Sequence, residues 1–280
     1  MKISINQSCI RCEKCVDICV AHIFSQKKEE IVAENIDKCV VCGHCVAVCP
    51  SDAINHSCFP ASSIHSVDRL LFPTPEQMDL IIKTRRSNRA FTTEPIPKAY
   101  LDKIVEAAYR SPTASNEQEL SFTIVTNPQK LHQISALTLD VFTSILKKIK
   151  IVKPIIKLFM PNVVKQIPTF LDLIDKFKNG DDRILRNATA VIFIHTPEKA
   201  RFGRQDANLA YQNASLMAES LGVAHFYTGF VCSGVDHDKK KRLEKALGIK
   251  GKIHAGMALG MPSFKFDKYI DKKPMQANWI

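Results

Sequence analysis

Two cysteine runs near the amino terminus decide the fold. The first reads CIRCEKCVDIC over residues 9–19, and the second reads CVVCGHCVAVCP over residues 39–50. In each run three cysteines follow one another at two-residue gaps, so that one short loop can point three thiolates at a single iron–sulfur cubane. The fourth cysteine stands three residues further on and leads away from that loop to the other cluster. The sequence therefore predicts two [4Fe-4S] clusters that exchange their fourth ligands.

This exchange defines the two predicted ligand sets. Cluster one takes Cys9, Cys12, Cys15 and Cys49, and cluster two takes Cys39, Cys42, Cys45 and Cys19. A structural zinc ion usually takes its four ligands as two separated pairs and has no use for two runs of this kind. Disulfides need an oxidising compartment, to which nothing in the sequence points. Residues 1–57 resemble a bacterial two-cluster ferredoxin, except that Val20 stands where the first run would carry a proline.

The length of 280 residues suits one small and one larger domain. We predict a two-cluster ferredoxin domain at 1–57, a linker at 58–75 and a second domain at 76–280. The linker carries several Ser and Pro residues and shows no hydrophobic periodicity. In the second domain, helices are predicted from residue 75, over 98–110, from Asp206 to a closing Gly222, and over 236–247. Strands are predicted over 121–126, 190–195, 223–230 and 252–260.

A helical insert is predicted at about 137–186, where apolar residues are mixed with lysines and prolines. Such a segment is typical of two helices that pack over a pocket with their lysines in solvent. It would also suit a membrane surface or an acidic partner protein. We favour a lid over the active site.

The charge and the hydropathy of the chain limit its expected cellular location and its expected partners. No apolar run reaches the length of a membrane span and the amino terminus has no signal core, so we expect a cytoplasmic, reducing location. The formal charge of +11 counts the cysteines as neutral. Two clusters and their thiolates lower it to about +7. Without a motif that reads bases, nucleic-acid binding is not expected, while a docking face for an acidic redox partner remains open.

A helix signal opens the second domain. Residues 74–77 read TPEQ, which places an N-cap threonine before a proline and completes the spacing of a capping box. The helix that follows is expected to bury Met78, Ile81 and Ile82.

Two polar motifs come next. Residues 84–91 read TRRSNRAF. Arginine side chains with a hydroxyl group between them bind phosphate oxygens well. A basic helix end exposed to solvent has the same composition and is the alternative interpretation. Residues 111–118 read SPTASNEQ and lie just before a predicted strand. Here Asn116 has a donor and an acceptor for the edge of a heterocycle, or it closes an ordinary Asx turn.

Together these motifs resemble the nitroreductase family of flavin enzymes over roughly residues 76–265. The resemblance implies an α+β fold with a nitroreductase-like, FMN-binding α/β sandwich in a homodimer. It implies that the first motif binds the FMN phosphate and ribityl chain, and that the second motif meets the flavin ring from the partner subunit. Family members often continue the second motif as Gln-Pro-Trp, whereas this chain has Gln118-Glu119-Leu120, which changes the substrate side of the pocket.

The resemblance also implies two further contacts. Residues 227–229 should run beside the flavin ring with a backbone N–H aimed at N5, and Lys265 should complete the phosphate site. The cofactor-binding residues predicted in this way are Arg85, Arg86, Ser87, Arg89, Thr113, Ser115, Asn116, Tyr227, Thr228, Gly229 and Lys265.

The two predicted cofactors indicate an electron converter. Cubanes pass single electrons, FMN holds one or two, and no G-x-G-x-x-G dinucleotide motif is present. We therefore expect a ferredoxin-linked FMN oxidoreductase that takes electrons from an external low-potential donor such as ferredoxin. The flavin N5 atom, rather than a side chain, would carry the chemistry, with nitroaromatic or quinone-like compounds as acceptors.

Other functions fit the same residues. The fold could remove halogen reductively or reduce an enone, or the chain could be a redox carrier or sensor that exchanges electrons only with proteins. Cys58 and Cys232, outside the runs, are expected to be inert linker or core residues. His195, His225 and His254 fall in predicted strands, where core histidines are commoner than catalytic ones.

Overall fold

The chain divides into two structural units in a computed structural model. The structure describes residues 1–149, 165 and 167–280 with their side chains, and it describes only the helical backbone at 150–159, 161–164 and 166. Unit one comprises Met1–Pro73 together with Thr113–Gln118, and unit two comprises Thr74–Pro112 together with Glu119–Ile280.

Unit one consists of two small antiparallel sheets and two short helices. Strand β1 (Ile3–Ile5) pairs with β4 (Ile54–His56), and β2 (Phe24–Lys27) pairs with β3 (Glu30–Ala33). The helices α1 (Lys14–Ile18) and α2 (His44–Val48) each begin inside a cysteine run. A core of a few apolar side chains packs against the cysteines; its buried members are Ile3, Ile23, Phe24, Ile31, Cys45 and Ile54.

The repeated sequence of the two runs folds into a repeated backbone. Left-handed residues stand at matching positions, Arg11 (φ 58°) with Val41 (φ 53°) and Glu13 (φ 57°) with Gly43 (φ 75°). Only glycine adopts this region without steric cost, and a β-branched residue such as valine is particularly disfavoured there. The shape of each loop is therefore imposed by what it must surround rather than by local preference.

Unit two is built on a four-stranded antiparallel sheet with the order β5-β6-β8-β7. The strands are β5 (Ser121–Val125), β6 (Ala190–Thr196), β7 (Ala224–Tyr227) and β8 (Lys252–Gly260). The two central strands are buried along most of their length, as their continuous apolar sequences predict.

Helices cover both faces of this sheet. Alternate residues of β6 point to opposite faces, so Val191 and Phe193 join one core, and Ile192 and Ile194 join the other. The helices are α3 (Pro75–Thr84), α4 (Lys98–Tyr109), α5 (Pro128–Phe159), α6 (Pro161–Lys178), α7 (Gly203–Ser220), α8 (Gly229–His237) and α9 (Arg242–Ala246). The predicted α+β class is thereby confirmed.

Helix α4 confirms its predicted bounds and α7 corrects them. In α4, Leu101 and Ile104 are buried as expected, but Tyr109 at the last turn is 51% exposed. Helix α7 begins at Gly203 rather than at Asp206, whose N–H already donates to the Phe202 carbonyl. The acidic residue therefore sits in the first turn, where it complements the helix dipole. Gly222 follows the helix with φ 69°, as a closing glycine should.

The prediction for residues 223–247 was wrong in detail. The strand ends at Tyr227, and α8 occupies Gly229–His237, part of which was predicted as strand. Val231 and Val235 are buried four residues apart, which is helical spacing and was missed because the apolar run of β7 leads directly into this segment. The predicted helix at 236–247 is reduced to the short α9 at Arg242–Ala246.

Helix α3 begins as predicted but does not bury the predicted face. The Gln77 N–H donates to Thr74 Oγ1 over 3.2 Å and the Thr74 N–H donates to Gln77 Oε1 over 2.9 Å, which confirms the capping box. Met78 and Ile82 are 41% and 54% exposed, and Ile81 is half-buried. The helix approaches α7 at its carboxyl-terminal end, where the Arg86 backbone contacts Glu219, so its earlier turns stay at the surface of this chain.

The predicted insert lies in two helices, since residues 137–159 belong to α5 and residues 161–178 to α6. Phe142 and Leu173 are buried and join the core of unit two. The side chains of the lysine-rich stretch at 150–164 lie outside the described residues, and the lid stays a prediction. Within the described part of the chain, no helix combines the length and the apolar character that crossing a membrane requires. The predicted linker at 58–75 is exposed apart from the half-buried Phe59 and contains two 3₁₀ turns, at Ala61–Ser63 and Arg69–Leu71.

Candidate functional site

Two small cavities in unit one are each lined by four cysteines. The walls of the first include Cys9, Cys12, Cys15 and Cys49. The walls of the second include Cys39, Cys42, Cys45 and Cys19. The structure thus brings together both predicted sets, with the fourth cysteine of each run in the cavity of the other run.

The chemistry of these cavities suits cubanes. No three His, Cys, Asp or Glu side chains converge on a single-ion site anywhere in the described residues. Four cysteines around a cubane instead occupy the corners of a larger object, one thiolate at each iron. Backbone N–H groups are already aimed at sulfur, since Val41 donates to Cys39 Sγ over 3.4 Å and Ala53 donates to Cys49 Sγ over 3.2 Å.

Three thiols of the cavities have shifted pKa values. Burial, helped by neighbouring cysteines, raises the pKa of Cys45 to about 11, and burial also raises the pKa of Cys15. At Cys49 burial acts in the same direction but is outweighed by N–H groups such as that of Ala53, so its pKa is lowered. Loading iron must therefore displace protons from buried thiols, which couples cluster binding to pH and to the folding of unit one.

His56 lines the second cysteine cavity and was missed by the sequence analysis. Its Nδ1 accepts the Cys58 N–H over 3.2 Å, so that Nε2 carries the proton and faces Cys39 Sγ at 3.7 Å. Burial lowers the pKa of this imidazole, which keeps it neutral near pH 7. It follows the second run by seven residues, a separation that gives no sign of the contact.

The arginine motif follows α3 in unit two. Arg85 and Arg86 are half-buried, while Ser87 and Arg89 are exposed. The Arg89 guanidinium donates to the Ser87 carbonyl over 3.2 Å and lies over the Phe226 ring, 5.4 Å from its centroid.

Other charged and polar groups surround this motif. Burial raises the pKa of Glu219 despite the nearby Arg85. Arg186, which the sequence analysis missed, has its pKa lowered by burial and by the like charges of Arg183 and Arg89. Several guanidinium groups are thus held close enough to repel one another, an arrangement that an anion would stabilise.

A buried asparagine ties the arginine motif to the end of β8. Asn88 Nδ2 donates to the Phe264 carbonyl over 3.3 Å, and its Oδ1 accepts the Ala90 N–H over 3.0 Å. The Thr92 N–H donates to the Met261 carbonyl over 2.8 Å. Lys265 is exposed and follows Phe264 in the sequence, so its backbone lies next to the residue that Asn88 contacts.

Residues 227–229 join β7 to α8. The Thr228 N–H donates to the Gly256 carbonyl over 2.9 Å, and Gly256 has no room for a Cβ, which would stand 2.3 Å from Thr228 Oγ1. The first N–H groups of α8, beginning at Gly229, have no acceptor inside the helix and are donors for a bound ring. Burial raises the pKa of Tyr211 to about 12 and raises that of Tyr227 as well, so both phenols stay protonated.

Cys232 and the strand histidines each contact a neighbouring hydroxyl group. Burial raises the pKa of the Cys232 thiol, which lies 3.8 Å from Thr228 Oγ1, and the thiol therefore stays neutral. Nε2 of His195 lies 3.0 Å from Thr123 Oγ1, and Nε2 of His225 lies 3.0 Å from Ser215 Oγ. His254 makes the equivalent contact with a threonine hydroxyl at 2.8 Å. These contacts place all three rings in the sheet packing of unit two.

The second predicted motif lies in unit one, next to cluster two. Asn116 Nδ2 donates to the carbonyl groups of Val40 and Val41 over 3.0 and 2.8 Å. The Gln118 N–H, which an Asx turn at Asn116 would use, donates instead to Thr113 Oγ1 over 3.1 Å. The contact of Thr113, Ser115 and Asn116 with a flavin ring stays a prediction.

A larger cavity of about 1270 Å³ lies elsewhere in unit two. It is lined mainly by apolar residues of α4, β5 and α5, among them Val105, Phe122 and Leu131. Its described lining includes no predicted cofactor residue, so its size alone does not connect it with the chemistry of the arginine motif.

The sequence matches two family models. Residues 82–261 match the model of the nitroreductase family, and residues 8–54 match the model of a 4Fe-4S dicluster domain. The first match covers well over half of the chain, and the second covers both cysteine runs.

Solved structures share the fold of unit two. A nitroreductase with bound FMN from Bacteroides fragilis is 21% identical and has a TM-score of 0.52, over 73% of this chain and 97% of that one. A nitroreductase with bound FMN from Desulfitobacterium hafniense is 18% identical and has a TM-score of 0.55, over 71% of this chain and 97% of that one. At these identities the likeness concerns the fold alone.

Curated relatives match the amino-terminal region. A polysulfide reductase subunit of Wolinella succinogenes is 41% identical over 49 residues, which are 17% of this chain and 26% of that protein. A ferredoxin of Rickettsia felis is 40% identical over 52 residues, 18% of this chain and 47% of that protein. The matched region thus spans less than half the length of these two relatives.

Proposed function

This protein belongs to the nitroreductase family of oxidoreductases and carries a 4Fe-4S dicluster domain, and we propose that it is an FMN-dependent enzyme that receives single electrons through its clusters. It passes them in pairs to electron-poor small molecules of the nitroaromatic or quinone type. The observation that carries this proposal is the pair of four-cysteine cavities in the same chain as the arginine motif. One-electron centres beside a cofactor that can collect two electrons form a converter from single electrons to electron pairs.

The residues around the arginine motif fit FMN. Guanidinium groups, a serine hydroxyl and a lysine form the donor set that a phosphate monoester prefers. In this proposal Arg85, Arg86, Ser87, Arg89 and Lys265 bind the phosphate and ribityl chain. FMN, when bound, supplies the capacity to hold one electron or a pair.

Residues 227–229 fit the edge of the flavin ring. The N-terminal N–H groups of α8 donate hydrogen bonds towards it, and the positive end of the helix dipole favours negative charge there. The tight contact of Gly256 with Thr228 fixes this turn. Tyr211 and Tyr227 remain protonated, and their rings pack edge to face, with centroids 4.9 Å apart.

The proposal includes partners and a location. Thr113, Ser115 and Asn116 would meet the flavin ring of the partner subunit in a homodimer, and a ferredoxin-like protein would supply low-potential electrons. Clusters held by thiolates in a protein with further free thiols suit the cytoplasm, where thiols stay reduced.

Anaerobic stopped-flow mixing tests this function. The protein loaded with iron, sulfide and FMN is mixed with reduced ferredoxin in one experiment and with NADPH in another, while cluster and flavin absorbance are followed separately. We expect ferredoxin to bleach the clusters first and the flavin second, and a nitroaromatic or quinone to restore both. Flavin reduction by NADPH alone, with the clusters inert towards ferredoxin, would overturn the relay.

A further inference from the structure

The loop Thr113–Gln118 connects α4 to β5 in the sequence, but it belongs structurally to unit one. Within this loop Asn116 makes a long-range contact, because its side-chain amide donates to two successive carbonyl groups, those of Val40 and Val41. These carbonyls lie between Cys39 and Cys42, inside the loop that surrounds cluster two.

The contact holds a backbone that needs support. Val41 has φ 53°, which a β-branched residue adopts only when its surroundings impose it. The same residue donates its N–H to Cys39 Sγ, so its orientation reaches the cluster ligand directly. Asn116 is itself left-handed, with φ 56°, a conformation that asparagine tolerates better than most residues. A carboxylate at this position has no N–H to donate and would repel both carbonyls.

The two clusters differ in their surroundings. In the first run Ile10 and Arg11 are exposed, Cys12 is exposed, and the Arg11 guanidinium lies 3.6 Å from Glu29. In the second run the matching residues 40–42 are half-buried. The first loop is therefore open to an incoming protein, and the second is covered by the segment that carries Asn116.

We propose that electrons enter at cluster one and leave for the flavin from cluster two, with Asn116 as the positioning residue of the exit. The inference rests on the proposed function, since the same loop carries the predicted flavin contacts Thr113 and Ser115, and Asn116 itself is the third. Each passage would move one electron: the external donor is oxidised as cluster one is reduced, cluster one passes the electron to cluster two, and cluster two is reoxidised as FMN is reduced. Two passages, with protons from water, supply the pair that reduces one acceptor.

The test compares Asn116→Ala and Asn116→Asp with Glu117→Gln, an exposed neighbour in the same loop. The full chain, loaded with clusters but free of FMN, is first examined by amide hydrogen exchange. Loss of the two hydrogen bonds should speed exchange over residues 39–42 by about tenfold in both Asn116 variants. Exchange over residues 9–12 should stay at the wild-type rate, and Glu117→Gln should match the wild type throughout.

The second measurement is stopped-flow reduction with FMN bound. The Asn116 variants should keep the rate of cluster reduction by ferredoxin and slow the later flavin phase by about tenfold. Unchanged exchange at 39–42 would overturn the positioning role of Asn116, and a slowed first phase would overturn the order of the clusters. If the reduced clusters of the wild type never reduce bound FMN, the proposed function itself fails. If the wild type completes both phases and the Asn116 variants match Glu117→Gln, only this inference fails.

Discussion

The Arg89 guanidinium lies 5.4 Å from the centroid of the Phe226 ring, so the arginine motif contacts the strand that leads into residues 227–229. Phe226 is buried in β7, and its ring gives the exposed arginine a fixed position over an apolar surface. The predicted phosphate end and the predicted ring end of the FMN site are thereby connected through one side-chain contact.

Arg89→Ala should weaken FMN binding by about ten- to a hundredfold, because a charged hydrogen bond to phosphate contributes roughly 1.5–3 kcal/mol. Titration of FMN into the flavin-free, cluster-loaded protein, followed by the quenching of flavin fluorescence, measures this loss. Arg201→Ala is the matched control, since Arg201 also lies over a phenylalanine ring, that of Phe202 at 4.9 Å. Equal losses in the two variants would remove the specific role of Arg89.

Cys49→Ser should cost the protein about half of its iron, because cluster one loses the ligand that the second run supplies. Iron and sulfide per chain, together with the electron paramagnetic resonance of the reduced protein, check this expectation. Cys58→Ser is the control, since Cys58 is exposed and contributes to neither cysteine cavity. Loss of iron in Cys58→Ser would contradict the ligand assignment.

His56→Phe should lower the reduction potential of cluster two by roughly 40 mV, the equivalent of one hydrogen bond of about 1 kcal/mol in a one-electron couple. An N–H directed at a ligand sulfur stabilises the more negative, reduced cluster, and phenylalanine keeps the ring without the donor. An anaerobic redox titration gives the potential. His65→Phe in the exposed linker should leave both potentials in place, and a shift of cluster one in His56→Phe would argue against the contact.

His225 should make unit two less stable as the pH falls from 7 to 5. Burial lowers the pKa of this histidine from 6.5 to about 4, so the unfolded protein takes up a proton in this range that the folded protein refuses. The contribution of His225 to the free energy of unfolding is therefore complete above pH 6.5 and is lost progressively towards pH 4, by on the order of 3 kcal/mol in total. His225→Asn, which keeps a polar partner for Ser215, should show a flatter dependence in urea unfolding followed by circular dichroism. Parallel pH curves for the two proteins would be inconsistent with the shift.

The sequence was most informative where chemistry restricts spacing. The cysteine intervals predicted both ligand sets, because a cubane accepts few arrangements of a short loop. The capping box of α3 and the buried strand β6 were also readable, since each depends on neighbouring residues. His56 and Arg186 were missed because their contacts join residues that are distant in the chain. The face of α3 was misjudged because periodicity says which side of a helix is apolar and not whether this chain covers it.

Asn116 shows the same limit within a motif that was recognised. Its place in the sequence indicated a polar contact, and the structure gives one, but with the Val40 and Val41 carbonyls. The partners of these two hydrogen bonds are separated by 75 and 76 residues in the sequence. No local pattern links a loop after α4 with a cysteine run so far away. Contacts of this kind require coordinates.

The crossing of Cys19 and Cys49 between the two cavities also sets the order in which the protein can mature. In the predicted ligand sets, the last ligand of cluster two to leave the ribosome is Cys45 and the last ligand of cluster one is Cys49, although the first run is made thirty residues earlier. Neither cluster can be completed on a nascent chain that ends between the runs. Iron delivery to this protein therefore has to wait for the second run and then fill two sites that become ready four residues apart.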